Sequence, residues 1–343
     1  MLVHNNIQLL PLFKNAVITI GTFDGVHTGH RQIIELMKTE AAAVHGETVI
    51  ITFHPHPRQV IGSGRSPIFL INALQEKILL LEKCGVDHIV VVPFTEVFAN
   101  QSAEKYITDF LVHTFHPHTI IIGHDHHFGK NRSGNYALLE QKASEYNYLV
   151  KEIPEYMLAD ITISSTRIRK ALQGDDIATA NNFLGYNYFF SGTVVEGNKL
   201  GRTIGYPTAN LHVDDENKLI PGNGVYAVEV VSGEWSMVNG ESSIVNGESS
   251  MVKSESSIVK DENREDIKFK GMMNIGIRPT VDGTKRVIEV NIFDFDKEIY
   301  GEKITVTLKK HLRNEIKFSG LDELKKQLAK DKAEAKIYLN QLK

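Results

Sequence analysis

Along the first half of the chain, short apolar runs alternate with longer segments of helical spacing. Ala16–Ile20, Thr48–Phe53, Asp87–Val92, Thr119–Ile122 and Tyr148–Ile153 are rich in β-branched residues and almost continuously apolar. Runs of that length suit parallel strands buried on both faces. Between them, Leu74, Ile78 and Leu81 fall at i, i+4 and i+7, and Tyr106, Ile107, Phe110 and Leu111 form a second stripe, as amphipathic helices require. This alternation predicts an α/β domain, a parallel sheet with helices on both faces. Ligands of such sheets bind beyond the C-terminal strand ends, so the loops there are where chemistry belongs.

The second half has a different rhythm. YFFSGTVVEG, GVYAVEVV, IKFKGMMNIG, RVIEVNIFDF and KITVTLKKHL are strand-like and are separated by Gly, Pro, Asn and Asp, with no helix-length segment between them. That pattern predicts an antiparallel β-barrel or sandwich. A terminal helix follows, with Leu321, Leu324 and Leu328 on one face and a capping box formed by Ser319 and Asp322. The boundary falls within Asn181–Tyr188, giving domains 1–184 and 185–343. Four tandem heptapeptides, SMVNGES, SIVNGES, SMVKSES and SIVKDEN, occupy 236–263. Their apolar residues are adjacent rather than spaced three and four apart, which excludes a coiled-coil seam. They read as a polar insertion in a hairpin, without chemistry of its own.

At 343 residues, with 42% hydrophobic and 23% charged, the chain is long enough for two ordinary cores and is not disordered as a whole. No apolar run approaches the ~18 residues of a membrane span, and the N-terminus lacks the cationic lead of a secretion signal. Cys84 is the single cysteine, which excludes an internal disulfide and a cysteine zinc site. A cytoplasmic protein, a monomer or weak homo-oligomer, is expected. Residues 1–183 carry 15 Lys+Arg against 18 Asp+Glu, and residues 184–343 carry 23 against 24, so neither half is a basic nucleic-acid binder. Histidine is uneven, with 13 of 15 before residue 130.

The first predicted strand runs into Gly21–His30, GTFDGVHTGH, where a helix begins. Glycines permit a tight turn, a helix N-terminus attracts phosphate, and two histidines three apart can donate to phosphate oxygens. In Ile163–Arg169, ISSTRIR, Ser164 or Ser165 can cap the next helix and Arg169 can pair with phosphate. In the second half, Gly197-x-Lys199-x-Gly201-Arg202 with Gly205 suits a phosphate cradle, and Thr208 and Asn210 supply neutral oxygens acceptable to magnesium. In VIEVNI, alternation puts Ile288, Val290 and Ile292 on one face and Glu289 and Asn291 on the other, so Glu289 faces either solvent or a pocket. The six histidines between His113 and His127 lack metal-ligand spacing.

These motifs together resemble the bacterial bifunctional riboflavin kinase/FAD synthetases. GTFDGVHTGH is similar to the H-x-G-H signature of nucleotidyltransferases, FHPHP at Phe53–Pro57 to the family's F-x-P-H-P, and ISSTRIR to its I-S-S-T-x-I-R. Pro207–Asn210, Pro221–Tyr226, Gly271–Thr280 and Glu289 before Asp294–Gly301 are similar to its riboflavin kinase barrel. The resemblance implies a Rossmann-like nucleotidyltransferase domain followed by a kinase barrel, using ATP and Mg²⁺ to convert riboflavin to FMN and FMN to FAD. It implies ATP contacts at Gly21, Phe23, Asp24, His27, Gly29, His30, Ser164, Ser165, Thr166 and Arg169. FMN contacts are implied at His56 and Pro57 and at Asp125 and Phe128, the latter two in the loop 123–129, where His124 and His126 replace the family's usual aromatic residues. In the barrel it implies Glu289 as base, Thr208 and Asn210 on magnesium, and Arg313 and Glu315 on the flavin. Two other readings of the chain are a nucleotidyltransferase for another phosphorylated acceptor with an accessory barrel, and a non-enzymatic flavin-binding regulator.

Overall fold

The computed structural model describes residues 1–61, 67–123, 126–153, 163–197, 200–232, 268–280 and 283–342. They form two compact units, Met1–Tyr186 with Asp215–Ile220, and Asn187–Asp214 with Pro221–Lys343. Asp125, Lys199 and the heptapeptides 236–263 lie outside the described residues.

The first unit is built on a parallel sheet of six strands: β1 (Leu2–His4), β2 (Val17–Ile20), β3 (Thr48–His54), β4 (His88–Pro93), β5 (Thr119–Ile122) and β6 (Leu149–Glu152). Their order is β1-β4-β3-β2-β5-β6. All residues of β2 and β5 are buried, as the continuous apolar runs require. On one face, Ile18, Ile51, Val90 and Ile120 pack with Phe110, Phe115 and Tyr106 in a single core. The chain runs from β2 through β3 to β4 on one side and continues from β5 to β6 on the other. The order therefore reverses at β2, and the loop after β2 lies at the switch point. The helix Leu74–Lys83 buries Ile78 and Leu81, and the turn Tyr106–Val112 buries its whole apolar stripe, in π-helical geometry.

The second unit is a closed antiparallel barrel of β7 (Phe189–Val195), β8 (Ala209–His212), β9 (Gly224–Ser232), β10 (Lys268–Thr280), β11 (Gly283–Ile292) and β12 (Lys303–Arg313), in the order β10-β11-β8-β7-β12-β9. Closure removes the exposed edges an open sheet would present. The terminal helix Leu321–Gln341 seats Ala335 and Leu339 on Ala227, Met272 and Phe293.

Two details of that helix differ from the sequence expectation. Leu321 is 52% exposed, because the packing face is set farther along the helix. The N-cap is Gly320, one residue later than expected, so Glu323 rather than Asp322 reaches back to accept from the Ser319 amide at 3.1 Å.

β9 and β10 flank the heptapeptides and pair antiparallel, with Val231 opposite Lys268. The insertion thus joins hairpin partners already in register. Loop-closure entropy grows only logarithmically with length. Replacing Ser236–Asn263 by a short Gly-Ser turn should leave the melting temperature and catalytic constants within experimental scatter. A several-fold rise in a Michaelis constant would show instead that the insertion covers a site.

Candidate active sites

In the first unit the turn after β2 is tightly wound. Phe23 and Val26 hold φ of 48° and 36°, and Gly25 holds 93°, where a side chain would also press on Ile71. The turn delivers His27 to the N-cap of the helix Thr28–Ala43 without a side-chain cap. His27 and His30 stack with ring centroids 3.8 Å apart, and the Nδ1 atoms of both are buried without a partner among the described residues. Buried ring nitrogens beside a helix N-terminus suit an anionic ligand able to complete them. Burial pushes His27 down to about 4, against the pull of Asp24, and depresses His30 as well. Both rings are therefore neutral at pH 7, able to offer hydrogen bonds but not a positive charge.

Asp24 lies beneath this turn, 2% exposed. Its Oδ1 accepts from the Ile71 amide at 2.9 Å, and its Oδ2 accepts from Arg169 Nη2 at 2.5 Å. Arg169 Nε also donates to the Phe69 carbonyl at 2.8 Å. The helix Ser165–Gln173 brings Arg169 there: Ser164 is its N-cap, accepting from the Arg167 amide, while Ser165 Oγ donates to the Asp24 carbonyl at 2.9 Å. Thr166 is exposed. The serines divide the two tasks, one capping the helix and the other tying it to the turn.

His56 caps the short helix Pro57–Val60, its Nδ1 accepting from the Arg58 amide at 3.1 Å, and burial pushes it too down to about 4. Phe128 lies in the core, stacked on Tyr106 with centroids 4.7 Å apart. Lys77 and Tyr186 join the cluster without having been singled out from sequence. Lys77, drawn down to about 8 by burial, donates to Thr52 Oγ1 at 3.3 Å. Tyr186 donates to the Gly25 carbonyl at 2.7 Å. The available signal for Lys77 was a lysine set on the apolar stripe of Leu74 and Ile78.

The depressed histidines carry a pH dependence. As pH falls below the ordinary value of 6.5, the unfolded chain takes up protons that folded His27 and His56 refuse until about 4. Their contribution is therefore complete above about pH 6.5 and is lost toward pH 4, each unit of depression being worth ~1.4 kcal/mol. The melting temperature should fall between pH 7.5 and 5 more steeply in the native chain than in His27→Gln. Parallel curves would show that His27 does not titrate on unfolding.

In the second unit, β11 offers its two faces to two cavities. Glu289 and Asn291 line one of about 230 Å³, with Arg278, Arg313 and Glu315. Val290 and Ile292 line the other, of about 420 Å³, with Arg202. Thr208 lines both. Glu289 stands directly opposite Asn210 on β8 and accepts from Arg278 Nη2 through Oε1 at 2.7 Å. A side chain at Gly197 would collide with the Asn210 amide, and one at Gly201, in the helical turn Leu200–Thr203, with the Tyr206 carbonyl. Asn291 is 5% exposed and donates to the Pro207 carbonyl at 2.7 Å, which fixes the residue before Thr208. Arg313 is held by Asp331 of the terminal helix through Nε at 2.9 Å and Nη2 at 2.7 Å. A bidentate pair of this kind sets the guanidinium plane as well as its charge.

The family model for FAD synthetase matches residues 11–167, and that for riboflavin kinase matches residues 184–339. The bifunctional riboflavin kinase/FMN adenylyltransferase of Haemophilus influenzae is 36% identical over 98% of this chain and 97% of its own. The chain belongs to this bifunctional family. The protein of the same name from Bacillus subtilis is 36% identical over 96% of this chain and 94% of its own. A crystal structure described as a macrolide-efflux protein of Streptococcus pneumoniae covers 98% of each chain with a TM-score of 0.76 at 27% identity. Among the described residues no helix is long and apolar enough to cross a membrane. Within the family frame, the histidine turn and Ile163–Arg167 of ISSTRIR fall inside the FAD synthetase match, Arg169 lies just past its end, and Thr208, Asn210, Glu289, Arg313 and Glu315 fall inside the riboflavin kinase match.

Proposed function

We propose that the chain performs both reactions of its family, with one site in each unit. The observation that supports this reading is that each unit gathers polar groups suited to phosphate: His27 and His30 stacked at the turn whose Asp24 holds Arg169 in the first, and Thr208 and Glu289 lining one cavity, with Asn210 opposite Glu289, in the second. The barrel phosphorylates riboflavin. Its two cavities meet at Thr208, so one takes the isoalloxazine and ribityl chain and the other the nucleotide. Glu289 takes the proton of the 5′-hydroxyl, the hydroxyl oxygen bonds to the γ-phosphorus of ATP, and the bond to ADP breaks. Arg278 orients the Glu289 carboxylate, and Arg313, set by Asp331, and Glu315 line the flavin side. Gly197, Gly201, Arg202 and Gly205 cover the phosphates. Thr208 and Asn210 are neutral oxygen donors beside a carboxylate, a set that fits magnesium. The ion would neutralise phosphate charge there.

In the first unit a phosphate oxygen of FMN attacks the α-phosphorus of a second ATP, and the bond to pyrophosphate breaks. No protein nucleophile is required. His27 and His30, neutral donors, meet the charge that develops on the transferring phosphate, and Arg169 meets the departing pyrophosphate. Gly21, Phe23 and Gly29 shape the turn, Asp24 acts through Arg169, and His56 and Pro57 lie on the flavin side. Small-molecule substrates and a single cysteine suit a cytoplasmic enzyme. The fate of labelled phosphorus tests the pair of reactions. Label from the γ-position of ATP should appear in FMN and persist in FAD, whereas α-label should appear in FAD and never in FMN. Failure of either label to transfer removes the corresponding reaction.

A further inference from the structure

The segment Asp215–Ile220 comes late in the chain, beyond β8, yet is part of the first unit. It pairs with Leu70 as a short parallel bridge: the Leu70 amide donates to the Asn217 carbonyl at 2.7 Å, and the Leu219 amide donates to the Leu70 carbonyl at 2.8 Å. Between these bonds Lys218 enters the interior with its side chain 1% exposed. Its Nζ reaches Glu76 Oε2 at 2.5 Å and the Ile71 carbonyl at 2.6 Å. Glu76 Oε2 accepts the Ala73 amide as well, at 2.9 Å.

The stretch Phe69–Ala73, which Lys218 and Glu76 thus hold, turns its other polar groups to Asp24 and Arg169. The Phe69 carbonyl receives Arg169 Nε, and the Ile71 and Asn72 amides meet Asp24 Oδ1 at 2.9 and 3.4 Å. Phe69–Ala73 is thus clamped by Lys218 on one side and holds Asp24 and Arg169 on the other. A buried ammonium is costly unless its charge is paired and its three donors are met; Glu76 meets the charge, and the Ile71 carbonyl takes a second donor. The second bond, to a backbone carbonyl next to the amide that seats Asp24, goes beyond charge balance.

We propose that Lys218 is a positioning residue for adenylyl transfer, fixing the Ile71 peptide so that Asp24 aims the Arg169 guanidinium. The proposal rests on the reading of Arg169 as a phosphate ligand. Lys218 touches no substrate. It acts through Ile71 and Asp24, about which nothing in the local sequence of either segment gives notice.

The test is a double-mutant cycle in the full chain, measuring FAD formation from supplied FMN and ATP, with riboflavin phosphorylation followed in the same preparations. Misplacement of a catalytic group by about 1 Å can cost ~10²-fold, so Lys218→Met should lower kcat by about 10- to 100-fold. Riboflavin phosphorylation should be unchanged. In an Arg169→Ala background, Lys218→Met should add less than about a twofold loss, because its effect runs through the missing guanidinium. Losses that multiply, or a single variant within twofold of the native chain, overturn the proposal and leave the Arg169 assignment standing. Full activity of Arg169→Ala overturns both. If Lys218→Met does not accumulate as folded protein, Lys218→Arg, which keeps a charge for Glu76 but replaces the compact ammonium with a longer planar fork whose donors lie elsewhere, is judged by the same cycle.

Discussion

Replacing His27 or His30 by alanine should lower FAD formation by about 10²–10³-fold, the usual cost of removing one transition-state donor. The two rings stack at 3.8 Å at the start of the helix Thr28–Ala43, and their buried Nδ1 atoms have no partner among the described residues. Burial keeps His27 neutral down to about 4, so the loss is that of a hydrogen bond and not of a charge. It should therefore be nearly constant from pH 6 to 8. Riboflavin supplied with ATP should still become FMN, which should accumulate. Equal loss of FMN and FAD in a variant that melts normally would refute the assignment of one reaction to each unit.

Glu289→Gln should have the opposite selectivity. The substitution keeps the shape and an acceptor for Arg278, which pairs with Glu289 Oε1 at 2.7 Å, but removes the base. A positioned base contributes ~10²–10⁴-fold, so riboflavin phosphorylation should fall by that order while FAD synthesis from supplied FMN persists. Phosphorylation at a near-native rate would make Glu289 a strand residue that happens to line a cavity. Its side chain is 20% exposed, so it is reachable from the cavity without being a free surface carboxylate.

Much of the fold was legible because the signals were local. The runs at Thr48–Phe53 and Thr119–Ile122 are apolar or threonine at every position, as a doubly covered strand that buries them all requires, and they appear as β3 and β5. β1 escaped notice because Leu2–His4 is three residues of mixed exposure, stabilised as a strand only by pairing with His88–Val90. β8 escaped because Ala209–His212 has little strand character of its own and gains it between β7 and β11. At the sites, the histidine turn was legible because its chemistry lies within ten residues. The partnership of Asp24 with Arg169 spans 145 positions and that of Glu76 with Lys218 spans 142, so no pattern along the chain could announce them. Glu289 was placed correctly on a face distinct from Ile288 and Val290 by alternation alone. That the face lines a cavity rather than solvent depends on Asn291, buried against Pro207, and on the closure of the barrel.

The central claim is that one chain takes riboflavin to FAD in two successive transfers. It is tested most directly by incubating the purified protein with riboflavin, ATP and magnesium and resolving the flavins by chromatography over time. FMN should appear first and FAD after it, with supplied FMN converted to FAD without a lag. Riboflavin left unchanged, or FMN that never proceeds to FAD, would contradict the account.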